Sequence, residues 1–122
     1  MVNKVRVLLV DDEEEFVKAL AERLELRGYD VGLAFNGEQA LGKLQDQKYN
    51  LMVLDLKMPG MDGMEVLRRV GKHHPEVAVV MLTGHGSEKD RDEALRLHAF
   101  AYLQKPVQID QLVRLIKERC GP

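Results

Sequence analysis

Five times along the chain a short run of β-branched and leucine residues gives way to a longer amphipathic stretch, and this alternation constrains the fold more than any single motif. The short runs lie at 4–10, 30–34, 51–54, 77–82 and 99–103 and are expected to be strands. Several are apolar throughout, the composition of a strand covered on both faces, so buried parallel strands fit best. Between them, Phe16, Leu20 and Leu24 recur at i, i+4 and i+8, and Ile109, Leu112, Leu115 and Ile116 repeat the pattern near the end. Each set marks one helix face turned to a sheet. Five βα units with right-handed crossovers predict an α/β fold of the flavodoxin-like type, three layers with a parallel five-stranded sheet in the order 2-1-3-4-5.

No linker, repeat or shift of composition divides the chain, so residues 1–122 are expected to form one domain. A chain of this length buries roughly two-thirds of the surface its unfolded form exposes, enough for a core without metal or disulfide staples. The lone Cys120, in the last helical stretch, is read as a residue without chemical role. The longest early apolar run, 7–10, is interrupted by Asp11, which predicts neither a signal peptide nor a membrane span and a cytoplasmic location. Eighteen basic residues against twenty acidic ones leave no basic footprint, so direct contact with nucleic acid is not expected. Helix starts are signalled by Asn36 with Gln39, Asp62 with Glu65 and Ser87 with Asp90, and in the first two pairs the third residue can also reach back. Gly28 is the expected stop of the first helix.

In open parallel sheets ligands bind beyond the carboxyl ends of the strands. There this chain places Asp11 and Asp12 after the first strand, Asp55 after the third, Thr83 after the fourth, and Lys105 followed by Pro106 after the fifth. Singly, each has a plain structural reading: Asp11 and Asp12 as caps of a helix from Glu13, Asp55 as the start of a turn, Thr83 as a partner for a loop amide. Together they need a common cause. Three carboxylates about 5 Å apart repel by roughly 3 kcal/mol per pair at an effective dielectric near 20, so a cation must compensate. Oxygen-only ligands in small number suit Mg²⁺, whereas zinc calls for His or Cys.

The runs Val10-Asp11-Asp12, Leu54-Asp55-Leu56-Lys57-Met58-Pro59-Gly60-Met61-Asp62-Gly63, Leu82-Thr83-Gly84 and Tyr102-Leu103-Gln104-Lys105-Pro106 resemble response-regulator receiver domains of bacterial two-component signalling, in family order and over essentially the whole chain. The resemblance implies that Asp55 is the phosphoacceptor and that Asp12 and Asp55 bind Mg²⁺ through their carboxylates. It further implies that Asp11 supports the ion through its waters and that the Lys57 backbone carbonyl supplies another ligand. Lys105 would neutralise charge on the transferring group. The implied donor is a phosphohistidine on a sensor histidine kinase or phosphotransfer protein. The implied chemistry is the chain's own phosphorylation and dephosphorylation rather than turnover of a substrate.

The resemblance also implies a switch through Thr83 and Tyr102. Driving a two-state equilibrium from 1:99 to 99:1 takes about 5.5 kcal/mol, whereas one hydrogen bond to a charged group supplies about 1.5 to 3 kcal/mol. Thr83, Lys105 and backbone amides must therefore act together, with Tyr102 turning inward once Thr83 has moved. The structural alternative for Tyr102 is a half-buried ring with a wet hydroxyl. Lys57 and His85, at the mouth of the site, are expected to modulate water attack on the acyl phosphate. Pro106 carries two readings: cis, as in the family, or trans, as base rates favour.

Pro59, Gly60 and Gly63 are expected to form a turn that brings backbone close to the site. His73 and His74 end the third helix and suit its carboxyl end better than a metal, His98 reads as a surface residue, and Met58, Met61 and Met64 as gap-fillers. After Lys105 only one more helix is expected, so output runs by contact. The surface implied is the fourth helix, fifth strand and fifth helix, with Lys89, Arg91, Arg96 and Arg114, toward a downstream protein or output domain. A phosphorylation-dependent homodimer is left open. The Leu-Thr-Gly-His-Gly run also resembles receivers attached to ATP-dependent transcription activators, so a stand-alone regulator and a fragment of a longer protein are both open readings. Rival readings are a haloacid-dehalogenase-like phosphohydrolase, whose Asp-x-Asp pattern and cap domain are missing, an unphosphorylated module of the same fold, and a flavin binder, for which no phosphate loop follows the first strand.

Overall fold

Alternation along the strands accounts for the layering. Leu8, Val10, Met52, Leu54, Val79 and Met81 belong to one buried cluster with Ala40, Leu44, Val66, Leu67, Val70 and Ala94. The residues between them, Val7, Leu9, Leu51, Val53, Val80 and Leu82, belong to a second cluster with Val17, Leu20, Leu24, Leu112 and Ile116. Side chains leave a strand on opposite faces by turns, so each apolar strand feeds two cores, one against each helical layer.

The computed structural model describes residues 4–84 and 86–121. In chain order the elements are β1 (Arg6–Val10), α1 (Glu14–Glu25), β2 (Asp30–Ala34), α2 (Gly37–Asp46), β3 (Leu51–Leu54), α3 (Gly63–His73), β4 (Ala78–Thr83), α4 (Glu88–Arg96), β5 (Ala101–Gln104) and α5 (Ile109–Cys120). All strand pairs are parallel and the order is β2-β1-β3-β4-β5, the flavodoxin-like order expected. The second and third strands have their expected bounds. The first begins at Arg6, where pairing with Asp30 of β2 begins, and the fourth runs on to Thr83, which pairs with Gln104. The fifth begins late because residues 97–99 end α4: His98 adopts φ +72° and the Ala99 amide donates to the Ala94 carbonyl. His98 is thus a helix stop in the left-handed conformation, a role beyond the surface position expected of it. Gly28, at φ +92°, does the same after α1.

The three predicted caps are present, with one difference. Asn36, Asp62 and Ser87 each accept from the amide three residues on. The reciprocal bond was expected of Gln39 and Glu65. Gln39 instead accepts from Phe35, one residue further back, and the Glu65 carboxylate is taken by Arg68 and Arg69, whose charged donors outcompete a neutral amide. The closed reciprocal pair is Ser87 with Asp90. No helix among the described residues is long and apolar enough to cross a membrane.

Candidate functional site

Register brings the site together. Val10 lies opposite Leu54 across β1 and β3, so Asp11 and Asp55 leave neighbouring strands at one level, and the Asp55 amide continues the ladder to the Val10 carbonyl at 2.9 Å. Alternation then sets direction: Asp11 follows Val7 and Leu9, and Asp55 follows Leu51 and Val53, so both carboxylates turn to the α1 side, where they line a cleft with Phe16, Val17 and Leu20. Gly63 makes the approach of α3 feasible, because a Cβ there would collide with the backbone of Asp55 and Leu56. Met58 and Met64 are buried and Met61 packs on them, the gap-filling role expected.

Carboxylate oxygens of Asp11, Asp12 and Asp55 lie within 4.8 Å of one another. Asp11 and Asp55 are buried, whereas Asp12 is exposed. Burial, then the charge of Asp11, pushes the Asp55 carboxyl up to about 6; Lys105 and a hydrogen bond from the Lys57 amide oppose this and Asp12 adds to it. The Lys105 ammonium donates to Asp11 at 2.7 Å and to Glu13 at 2.8 Å, over the face of Phe16 at 4.6 Å. Desolvation alone would lower the Lys105 pKa, but its bonds to Asp11 and Glu13 outweigh that and raise it. Among the described residues one lysine faces the three clustered carboxylates, and the raised Asp55 carboxyl registers the negative charge gathered there. An all-oxygen donor set in that state fits a hard divalent cation such as Mg²⁺.

Thr83 is fully buried and follows Val79 and Met81, so it leaves β4 on the α3 and α4 side, away from the carboxylates. The Lys105 amide reaches its carbonyl at 2.9 Å. A Cβ at Gly86 would collide with the Tyr102 hydroxyl and with Thr83 Cγ2, so the ring occupies space that only glycine leaves free. That hydroxyl is buried and has no hydrogen-bond partner among the described residues, so the wet alternative is not what the molecule adopts. The Lys105–Pro106 bond is cis, the family reading and not the base-rate one. Lys57 is exposed and its amide donates to Asp55, a contact separate from the ligand role expected of its carbonyl. His85 lies outside the described residues. His73 ends α3 and His74 follows it, away from the acidic cluster.

Three contributors were not singled out from sequence: Glu13, Phe16 as a ring beneath Lys105, and Gly86. Glu13 stands in an acidic run and reads as a helix start, Phe16 fits the apolar face of α1, and Gly86 carries no signal of the ring it accommodates.

A family model described as the response regulator receiver domain matches residues 7–117. The transcriptional regulatory protein CpxR of Escherichia coli (strain K12) is 42% identical over 112 residues, 92% of this chain and 47% of that protein. Among solved structures, the response regulator receiver domain protein (CheY-like) from Methanospirillum hungatei JF-1 has a TM-score of 0.91 and 34% identity, over 95% of this chain and 93% of that one. A response regulator protein from Burkholderia pseudomallei, with a phosphorylated aspartic acid, calcium ion and citrate, has a TM-score of 0.87 and 28% identity, over 92% of this chain and 66% of that one. The chain spans about half the length of the first curated relatives it matches. With its strand order, its acidic cluster and a family match over most of its length, this chain belongs to the response regulator receiver domain family.

Proposed function

We propose that residues 1–122 form a single phosphoacceptor domain that takes a phosphoryl group on Asp55 from the phosphohistidine of a sensor histidine kinase or phosphotransfer protein. The observation that carries this reading is the junction of Asp11, Asp12 and Asp55 within 4.8 Å, with Lys105 bonded to Asp11 at its edge. The Burkholderia pseudomallei relative, with its phosphorylated aspartic acid and a calcium ion, supports the same use of the fold.

An Asp55 carboxylate oxygen forms the new O–P bond as the P–N bond to the donor imidazole breaks, its electron pair returning to the ring. Asp11, Asp12, Asp55 and the Lys57 carbonyl would hold Mg²⁺, which supplies charge neutralisation at the transferring group. Asp11 anchors Lys105 beside the acceptor, and in this reading the ammonium offsets charge on the phosphoryl oxygens. The inner side of Asp55 faces a small cleft walled by Phe16, Val17 and Leu20. In this reading the chain promotes only its own phosphorylation and dephosphorylation, so it acts as a regulator rather than an enzyme with substrate turnover.

Thr83 and Tyr102 would carry the signal outward, Thr83 by turning its hydroxyl to the phosphoryl group and Tyr102 by its seat against Gly86. Output then goes through α4, β5 and α5, where Lys89, Arg91, Arg96 and Arg114 are all exposed, to a downstream protein or an output domain. A homodimer formed on phosphorylation would use the same face. Relatives such as CpxR are transcriptional regulatory proteins of about twice this length, and with a net charge of −2 this segment is the regulatory part of such a scheme rather than the part that meets DNA. A cytoplasmic setting accords with that scheme. Lys57 and His85 would tune hydrolysis of the acyl phosphate, and unchanged decay after substituting both would dismiss that role.

Intact mass after incubation with Mg²⁺ and acetyl phosphate tests the reading. One added phosphoryl group, absent in Asp55→Asn and without Mg²⁺, is expected. No addition to folded protein under any small phosphodonor would refute it.

A further inference from the structure

Lys105 is the one cation bonded to the acidic cluster among the described residues, and two of its three N–H donors are committed to Asp11 and Glu13. The two carboxylates are unlike. Asp11 is buried at the site, while the Glu13 side chain is 64% exposed, on the solvent side of a lysine that is itself only 16% exposed. Glu13 adds a negative charge where a phosphodonor must enter, and its amide is fixed by Asp11 Oδ1 at 3.0 Å, which ties its position to the site. Phe16 supports the ammonium from below.

We propose that Glu13 is a positioning residue: it holds Lys105 at the cleft mouth in the unphosphorylated chain and competes with the incoming phosphoryl group for the ammonium, so that it sets how readily Asp55 is loaded. This rests on Asp55 being the phosphoacceptor. With acetyl phosphate, the phosphoryl–acetate P–O bond breaks to release acetate as the Asp55 O–P bond forms, and charge builds on phosphoryl oxygens that Lys105 must meet. While Glu13 shares the ammonium, that neutralisation is incomplete. An exposed ion pair is weak, which limits the effect to roughly two- to fivefold.

Two measurements on the folded chain test this. In Mg²⁺-free protein, reductive methylation of Lys105 with formaldehyde and sodium cyanoborohydride, followed by peptide mass and referenced to the exposed Lys18 and Lys43, is expected to run roughly two- to fivefold faster in Glu13→Gln. Glu13→Asp, shorter but still charged, is expected to fall between the two. With Mg²⁺ and acetyl phosphate, Glu13→Gln is expected to load Asp55 faster by a similar factor, and this gain is expected to vanish in a Lys105→Met background. Equal labelling, equal loading, or a gain that persists without Lys105 would overturn the role of Glu13 while leaving the phosphoacceptor reading intact. Failure of the unaltered chain to load Asp55 at all would overturn both.

Discussion

Replacing Asp55 by Asn is expected to stabilise the metal-free protein, although it removes the residue on which the proposed chemistry depends. Asp55 titrates near 6 in the folded chain, against 3.8 for the unperturbed group, because burial and the charge of Asp11 disfavour its ionised form. Below pH 3.8 the carboxyl is protonated in folded and unfolded chains alike and exerts no penalty. Between pH 3.8 and about 6 the unfolded chain gives up this proton while the folded chain keeps it, so stability falls across that window and the full penalty stands above it. Two pKa units at 1.36 kcal/mol each put the full penalty at about 3 kcal/mol, an upper bound because side chains relax. Asn has nearly the same shape and can still accept the Lys57 amide. In urea titrations with a chelator, Asp55→Asn is expected to exceed the parent by about 1 to 3 kcal/mol at pH 7.5 and to lose that advantage as pH falls toward 4. Mg²⁺ should close the gap from the other side, since a ligand that binds the folded parent stabilises it by mass action. A variant no more stable than the parent at pH 7.5, or an advantage that grows toward acid pH, would refute the electrostatic account of the cluster.

Gly63→Ala is expected to lose about 1 to 3 kcal/mol, because its Cβ meets the Asp55 and Leu56 backbone, while Gly71→Ala in the same helix, with open space around it, should gain about 0.5 to 1 kcal/mol; urea midpoints compare the pair. Tyr102→Phe should stabilise the chain by about 1 kcal/mol, since it removes a buried hydroxyl with no partner among the described residues, and a loss in the same titration would mean that the hydroxyl is satisfied. Gly86→Ala should drive the Tyr102 ring toward solvent, read as increased iodide quenching of tyrosine fluorescence in a chain without tryptophan; unchanged quenching would disprove the seat.

The fold was legible because apolar runs covered on both faces have few other interpretations, and the acidic residues were legible because they directly follow those runs. Thr83 was placed just beyond the fourth strand and proves to be its last residue, a shift that turns its side chain to the α4 face. Helix starts were legible in Asn36, Asp62 and Ser87, but not which third residue would reach back, since Arg68 and Arg69 decide that for Glu65 from the next turn of the helix. Glu13 and Gly86 were not legible. The importance of Glu13 depends on a lysine 92 positions away, and that of Gly86 on a tyrosine across a strand boundary, so neither leaves a local signal.

These same features bear on how a modest chemical event at Asp55 would be read at the surface. One charged hydrogen bond from Thr83 supplies about 1.5 to 3 kcal/mol, short of the 5.5 kcal/mol that a full population shift requires. The deficit is smaller if the element to be moved is weakly held. Ala94 is the single buried residue of α4, whereas α3 buries Gly63, Met64, Val66, Leu67 and Val70, so little apolar surface resists displacement of α4. Arg68 with Glu93 links α3 to α4 by an exposed ion pair worth at most about 1 kcal/mol. The Tyr102 hydroxyl, buried with no partner among the described residues, lowers the stability of the inward arrangement and so narrows the gap to any state in which it meets water. A loosely anchored helix beside a ring held at a disadvantage lowers what a phosphoryl group on Asp55 would have to supply, and within the proposed output face the parts that would move are α4 and the residues around Gly86, while α5 is held by Leu112 and Ile116 in the core.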